Sequence, residues 1–268
     1  MAVDLRMSAI RDSSTESRPT AFRSLVAPWD IVAESLSRPY RVTVPMIVFM
    51  GLIPAYVFIA GGLQGRAVYA PALAWDRALP LLPSWALVYG ALYMFLILLP
   101  VFVVRQEALL HRTVLAYLAI WITAYGFFLL YPTAAPRPEQ LSGDGFGVWG
   151  LRILYDADPP YNCFPSLHVA HSFVSALACY RVHRRLGLVA VAAASLVAIS
   201  TLFTKQHYIA DVIAGAVLAL AAYGVFLHGF PRESVPELDR RIAPTLGVGI
   251  AALSLASLLG FWLAYMLV

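Results

Sequence analysis

Charge is what this chain has least of. Asp, Glu, Lys and Arg together make up 13% of its 268 residues, against roughly 25% in a soluble domain. That scarcity excludes an ordinary water-soluble globule. With 60% hydrophobic residues, the composition is that of an integral membrane protein. Lysine is almost missing: eighteen of the nineteen basic residues are arginine, and Lys205, two places before His207, is the single lysine. Cysteine is scarce too. Cys163 and Cys179 are the only two, and on a helical run they stand roughly 24 Å apart, which excludes a disulfide between them. No internal repeat is visible. Nor is a cleavable signal expected, because the first twenty residues are polar and the first apolar run begins near Val44.

What is present is a series of long apolar runs, near 44–63, 84–104, 113–131, 165–181, 186–204, 208–229 and 244–267. Each approaches the roughly 20 residues that a helix needs to cross a bilayer. The fourth is the shortest, and its Pro165 suits a first helical turn, where no backbone N–H is lost. With the N-terminus inside, fourteen basic residues fall on the cytoplasmic side and five (Arg66, Arg77, Arg137, Arg152 and Lys205) on the other. Cytoplasmic retention of arginine gives that asymmetry. Ahead of the first span, Leu25, Trp29, Val32 and Leu36 recur at helical spacing, as in an interfacial helix or equally in a helix packed on loops. The 132–163 segment is the longest loop between spans. It is rich in Gly and Pro, and Phe146, Trp149, Tyr155 and Tyr161 suit an interface, so a lid or lipid-access element is expected there.

Three polar stretches fall together on the outer side under this topology: Tyr131 to Pro138, Phe164 to His168, and Lys205 to Asp211. Titratable groups at membrane depth are costly and mark functional sites. His207 and Asp211 are four apart, on one face of a helix that starts there. An Asp accepting from one imidazole nitrogen fixes the tautomer and leaves the other nitrogen free to attack. His168 can protonate a leaving oxygen and then activate the second attacker. Ser166 and the unpaired N–H groups of its helix start form an anion cradle. Arg137, kept extended by Pro138, offers a two-pronged clamp for phosphate, and Lys205 adds a point charge. By itself the His207–Asp211 pair fits a structural role in a bundle equally well, and Arg137 alone fits a headgroup anchor. Together with His168 and Ser166 they suit phosphoryl transfer without a metal or other cofactor. His171, one turn after His168, reads as a bundle hydrogen-bonder, and His111, His183 and His228 as interface residues. Asp144, Asp156 and Asp158 lack metal-ligand spacing and read as solvated loop residues.

At these residues the chain resembles the type 2 phosphatidic acid phosphatase superfamily. That family carries Lys-x6-Arg-Pro, Pro-Ser-Gly-His and Ser-Arg-x5-His-x3-Asp in this order, on six core helices. The resemblance covers roughly residues 84–229. It implies an all-α membrane fold, a six-helix bundle with one additional C-terminal span. It also implies phosphate-binding roles for Arg137 and Ser166, acid/base work for His168, a nucleophilic His207 and an orienting Asp211. The chain departs from the pattern at Leu130, Leu167 and Thr201, where the family has Lys, Gly and Arg. Lys205 is a candidate to replace one of the two lost cations. Pro-Ser-Leu-His and His-Tyr-x2-Asp resemble the branch with fungal inositol phosphorylceramide synthases and related bacterial proteins, which pass a phospho-head-group to a lipid alcohol.

The organisation expected is a cytoplasmic segment 1–43, a six-span catalytic domain 44–229, a cytoplasmic loop 230–243 and a last span 244–268. The leading expectation is a phosphotransferase of the plasma or inner membrane, its site facing the extracytoplasmic side. Its substrate is a membrane phospholipid and its acceptor a lipid or polyol hydroxyl; no nucleic-acid partner is expected. The alternative is a lipid phosphate phosphatase, with water as acceptor. Losing two cations favours a diester and so the transferase. A non-enzymatic ion or proton path through His168, His171, His207 and Asp211 fits less well, since transport sites sit near the midplane between repeats.

Overall fold

The computed structural model describes residues 51–267 apart from 53 and 64. The interfacial-helix expectation at 25–36 and the start of the first apolar run, 44–50, lie outside these; of that run, 54–62 is helical. The described residues form an all-helical fold. Its main elements are α1 (Trp85–Val103), α2 (Glu107–Leu130), α3 (Phe146–Ala157), α4 (Leu167–Val182), α5 (Arg184–Phe203), α6 (Ile209–Ala222, continued by the π-helical turn Tyr223–Leu227) and α7 (Glu237–Met266). Among the described residues five helices are long and apolar enough to cross a membrane: α1, α2, α5, α6 with its π turn, and α7.

Helix α4 is the axis of the bundle. Eleven of its sixteen residues are buried, and α1, α2, α5 and α6 all pack on it. Sixteen residues give roughly 24 Å, short of the ~30 Å hydrocarbon layer. Small side chains allow the close packing: Ala170, Ser172, Ser175, Ala176 and Ala178 of α4 are buried, as are Ala190, Ala193, Ala194 and Ala198 of α5. Between membrane helices this is the usual way to bring backbones together. Gly187 shows how tight the α4–α5 corner is, since a Cβ there lies 2.3 Å from Tyr180 Cα.

Three boundaries differ from the apolar runs. Pro165 is not in the first turn of α4. Ser166 is the N-cap, its hydroxyl accepting the Val169 N–H at 3.3 Å, and the Phe164–Pro165 peptide before it is cis. Helix α2 starts at Glu107, because Gln106 caps it by accepting the Leu109 N–H at 2.6 Å. Helix α7 starts at Glu237, where a buried Arg105–Asp239 ion pair of 3.2 Å ties it to the α1–α2 turn.

The long 132–163 segment contains a helix, α3, whose glycines and shortness hide its period from a sequence reading. It lies across α1 and against the far end of α7. Phe146 and Trp149 pack on Tyr265, and the Tyr265 hydroxyl donates to the Asp144 carbonyl at 2.8 Å. Arg152 closes the approach to α3 by donating to the Gly143 carbonyl at 2.8 Å.

Candidate active site

The start of α4 and the start of α6 are pinned to each other. The Ser166 N–H donates to the Asp211 carbonyl at 3.0 Å. Gly215, one turn further along α6, allows the approach: a Cβ there lies 2.5 Å from the Ser166 carbonyl oxygen. His207 sits just before α6, not in it, because Tyr208 is the N-cap. Its position comes from the turn after α5, where the Thr201 carbonyl accepts the N–H groups of Gln206 (2.9 Å) and His207 (3.2 Å). Lys205 completes that turn in the left-handed region, at φ 54.

His207 and Asp211 meet as their spacing predicts. His207 Nδ1 lies 3.3 Å from Asp211 Oδ2, which also accepts the Tyr208 N–H at 2.9 Å. The carboxylate is fully buried, and its Oδ1 has no hydrogen-bond partner among the described residues. With Nδ1–H directed at Asp211, Nε2 carries the lone pair. Facing it is His168, whose Nδ1 lies 3.2 Å from His207 Nε2. The His168 ring is held edge-on by Tyr89 and Tyr93, with ring centres at 5.5 and 5.2 Å. His171 is stacked on Tyr117 at 4.5 Å, one turn deeper in the bundle.

Arg137 is brought to this end of the molecule by a backbone lattice. The Thr133 hydroxyl accepts the N–H groups of Cys163 (3.1 Å) and Phe164 (2.9 Å), and the Ala135 N–H donates to Pro160 at 2.7 Å. The guanidinium lies 4.4 Å over the Tyr155 ring of α3. Its Nη1 donates to the Asp158 carbonyl at 2.7 Å, and Nη2 lies 3.7 Å from the Asp158 carboxylate. Nε is buried and has no partner among the described residues. Both Arg137 and Asp158 are within electrostatic reach of His168. Asp158 therefore corrects the solvated-loop expectation: it is an ion-pair partner that also accepts the Tyr56 hydroxyl at 2.8 Å. Asp144 and Asp156 are exposed.

Lys205 directs its ammonium elsewhere. Nζ donates to the backbone carbonyls of Leu79 (2.7 Å) and Asp76 (3.3 Å), so two of its three protons hold the 74–80 segment. Asp76, which no sequence signal singles out, completes that clasp. Its Oδ1 accepts the Ile209 N–H at 2.8 Å and caps α6, while Oδ2 accepts the Leu73 N–H at 2.6 Å. The Tyr155 hydroxyl donates to the Thr204 carbonyl at 2.6 Å, tying α3 to the turn before His207. Burial pushes that phenol up to about 12 against the opposing pull of Arg137, so it stays neutral. Gln206 is buried with both amide atoms unpartnered among the described residues.

A metal has one conceivable seat among the described residues. Ligand atoms of Cys163, His207 and Asp211 lie within 4.8 Å of one another. Burial and the carboxylates of Asp211 and Asp158 push the Cys163 thiol up, disfavouring the thiolate a metal needs. At the positions where the related pattern has cations, Leu130 is 87% exposed and Thr201 is buried, its hydroxyl donating to the Ala198 carbonyl at 2.8 Å.

No solved structure matches the chain. It is 31% identical over 129 residues to a PA-phosphatase related-family protein of Dictyostelium discoideum, an overlap of 42% of this chain and 23% of that one. It is 39% identical over 74 residues to an uncharacterized protein of Methanocaldococcus jannaschii, 28% of either chain. The overlap thus spans about a quarter of each relative. A family model for the PAP2 superfamily matches residues 70–225, more than half of the sequence and all three of the polar stretches that meet around His207, and the chain belongs to that superfamily.

Proposed function

We propose that this protein transfers the phosphoryl or phospho-head-group of a membrane phospholipid through His207. The observation that carries the reading is the Asp211–His207–His168 relay, its Asp211 and His207 buried and its His168 half-buried, with contacts of 3.3 and 3.2 Å. Asp211 holds Nδ1–H, so Nε2 attacks phosphorus. A phosphoryl group bound between the rings replaces the His168–His207 hydrogen bond. His168 then faces the leaving oxygen, gives it a proton, and in the second half-reaction takes one from the acceptor. Arg137 Nε and the N–H groups at the start of α4 are the candidates to hold the equatorial oxygens. Ser166 Oγ already caps that helix, so its contribution to phosphate binding runs through the shape of the helix start. Lys205 acts on the phosphate only at long range, through the turn it stabilises.

A crevice of about 250 Å³ between α1, α3 and α7 supports a lipid substrate. Its wall is apolar, and Tyr89 forms part of it while its ring also meets His168 edge-on. A hydrocarbon chain in this crevice places its phosphate near the histidines. Counting α4 and the run at 44–63 with the five long helices gives the six-span bundle with one added C-terminal span. The excess of arginine in the loops at the other end supports an extracytoplasmic face for the histidines, and we take the membrane to be a plasma or inner membrane.

Between acceptors, we favour a lipid or polyol hydroxyl over water. Two cations of the related pattern are missing at Leu130 and Thr201, which suits a diester over a doubly charged terminal phosphate. The test is phosphate release by detergent-purified protein from a panel of lipid phosphates in chelator, with His207→Ala as blank. It is then repeated with a labelled phospholipid and a lipid alcohol. His207-dependent transfer to the alcohol is expected. Release to water at equal rate makes the protein a phosphatase, and activity lost in chelator overturns the metal-free reading.

A further inference from the structure

The end of the bundle opposite the histidines carries a pocket that this chemistry does not use. It lies where the α4–α5 corner, the 3-10 turn Arg232–Ser234 and the first half of α7 meet, and its volume is about 740 Å³. Arg184, Arg185, Arg232, Arg240 and His183 line it, with Leu186, Val189 and Val248 as its apolar side. Among the described residues no carboxylate lines it. Among the described residues none of these four arginines takes part in an ion pair.

Arg232 shows that the charge is built in. Its guanidinium lies 5.3 Å over the Tyr180 ring, and Nη1 is buried with no hydrogen-bond partner among the described residues. Burial, then Arg184 and Arg181, push its pKa down. Like charges converging with no counter-charge among the described residues disfavour one another, and an anion relieves that. A guanidinium fork matches phosphate oxygens in pairs. The apolar side then selects among phosphates: Val189 and Val248 are 60% and 70% exposed, so it opens on the outer surface between α5 and α7. Basic pockets of this kind between membrane helices take anionic headgroups. Arg240, Pro244, Gly247, Val248 and Ala251 of the lining come from α7, which lies beyond the family-matched residues 70–225.

We propose that this pocket binds an anionic phospholipid, its phosphate among Arg184, Arg232 and Arg240 and the start of its chain along Val189 and Val248. The bound lipid clamps α7 to the α4–α5 corner, on the opposite face of the molecule from the catalytic relay. The proposal stands apart from the phosphoryl-transfer reading and its test needs no activity.

The test is native mass spectrometry of the detergent-purified full chain with dioleoyl phosphatidylglycerol or phosphatidylcholine, alongside thermal unfolding with each lipid. Phosphatidylglycerol is expected to bind at least about tenfold tighter and to raise the Tm, since a ligand of the folded state stabilises it by mass action. In Arg184→Gln/Arg232→Gln the preference is expected to shrink about tenfold, the scale of one charge-assisted contact. If that double variant shows no cooperative unfolding, Arg185→Gln/Arg240→Gln, at exposed positions, carries the same expectation. Equal binding of the two lipids by the wild-type chain overturns the proposal, as does a folded variant that keeps the preference. Glycerol 3-phosphate binding as tightly as the lipid assigns the pocket to soluble phosphates and overturns it too.

Discussion

Asp211 uses one oxygen for two donors, the His207 ring and the Tyr208 N–H, and buries the other. An amide in its place keeps a carbonyl oxygen for both donors but lacks the negative charge that stabilises a cationic imidazole at His207. Asp211→Asn is therefore expected to lower turnover by about 10² to 10⁴, as when an orienting Asp is lost from a triad, with the Tm little changed. Steady-state kinetics beside thermal unfolding check this, and near-normal turnover removes the orienting role. Cys163 sits against the same centre as a buried thiol whose pKa is raised by burial and nearby carboxylates. A raised thiol pKa means less thiolate at neutral pH, and the thiolate is the reactive form. Incubation with N-ethylmaleimide at pH 7 is expected to leave activity intact. Rapid inactivation, lost in Cys163→Ala, contradicts that environment.

At the scale of elements, the site is a joint between two helix starts, and small features set its closeness. Gly215→Ala puts a methyl 2.5 Å from the Ser166 carbonyl. The overpacked joint is expected to cost about 1–3 kcal/mol and to lower activity, read together as Tm and turnover. Asp76 joins the 74–77 turn to α6 by capping Ile209. Asp76→Ala is expected to cost about 1 kcal/mol, the usual loss for a helix cap, and to lower kcat at unchanged KM by loosening the His207 turn. Asp76→Asn keeps one carbonyl oxygen for that cap, so it should recover most of the rate. An equal loss in both variants argues for a charge effect instead.

For the whole molecule, the histidine end and the arginine end lie at opposite ends of the bundle, and the proposed orientation puts a membrane between them. Cysteines introduced at Glu139 and Arg185, both exposed, test it against the two native thiols, which are free and buried. An impermeant maleimide applied to intact cells is expected to label position 139 and not 185. The reverse pattern turns the protein over in the membrane. The roles of α3 and α7 also belong to this scale, because the crevice beside Tyr89 exists only where both meet α1.

Much of this was legible in the chain. Charge scarcity and seven apolar runs point to membrane helices because hydrocarbon tolerates little else. The four-residue spacing points to a His207–Asp211 pair, although the turn after α5 holds His207 just outside the helix. Their partner His168 follows from the motif order. Other features depended on contacts between residues far apart in sequence. Arg137 lies on the Tyr155 ring and against Asp158, Lys205 is committed to the 76–79 carbonyls, and Asp76 caps a helix 133 positions away. No local period encodes such contacts, since each is fixed by which loops the bundle brings to one end. The sequence by itself determined the long apolar helices and the chemical identity of the relay. The tertiary structure alone decided which cations face the histidines and which hold the walls, because packing sets where a long side chain can reach.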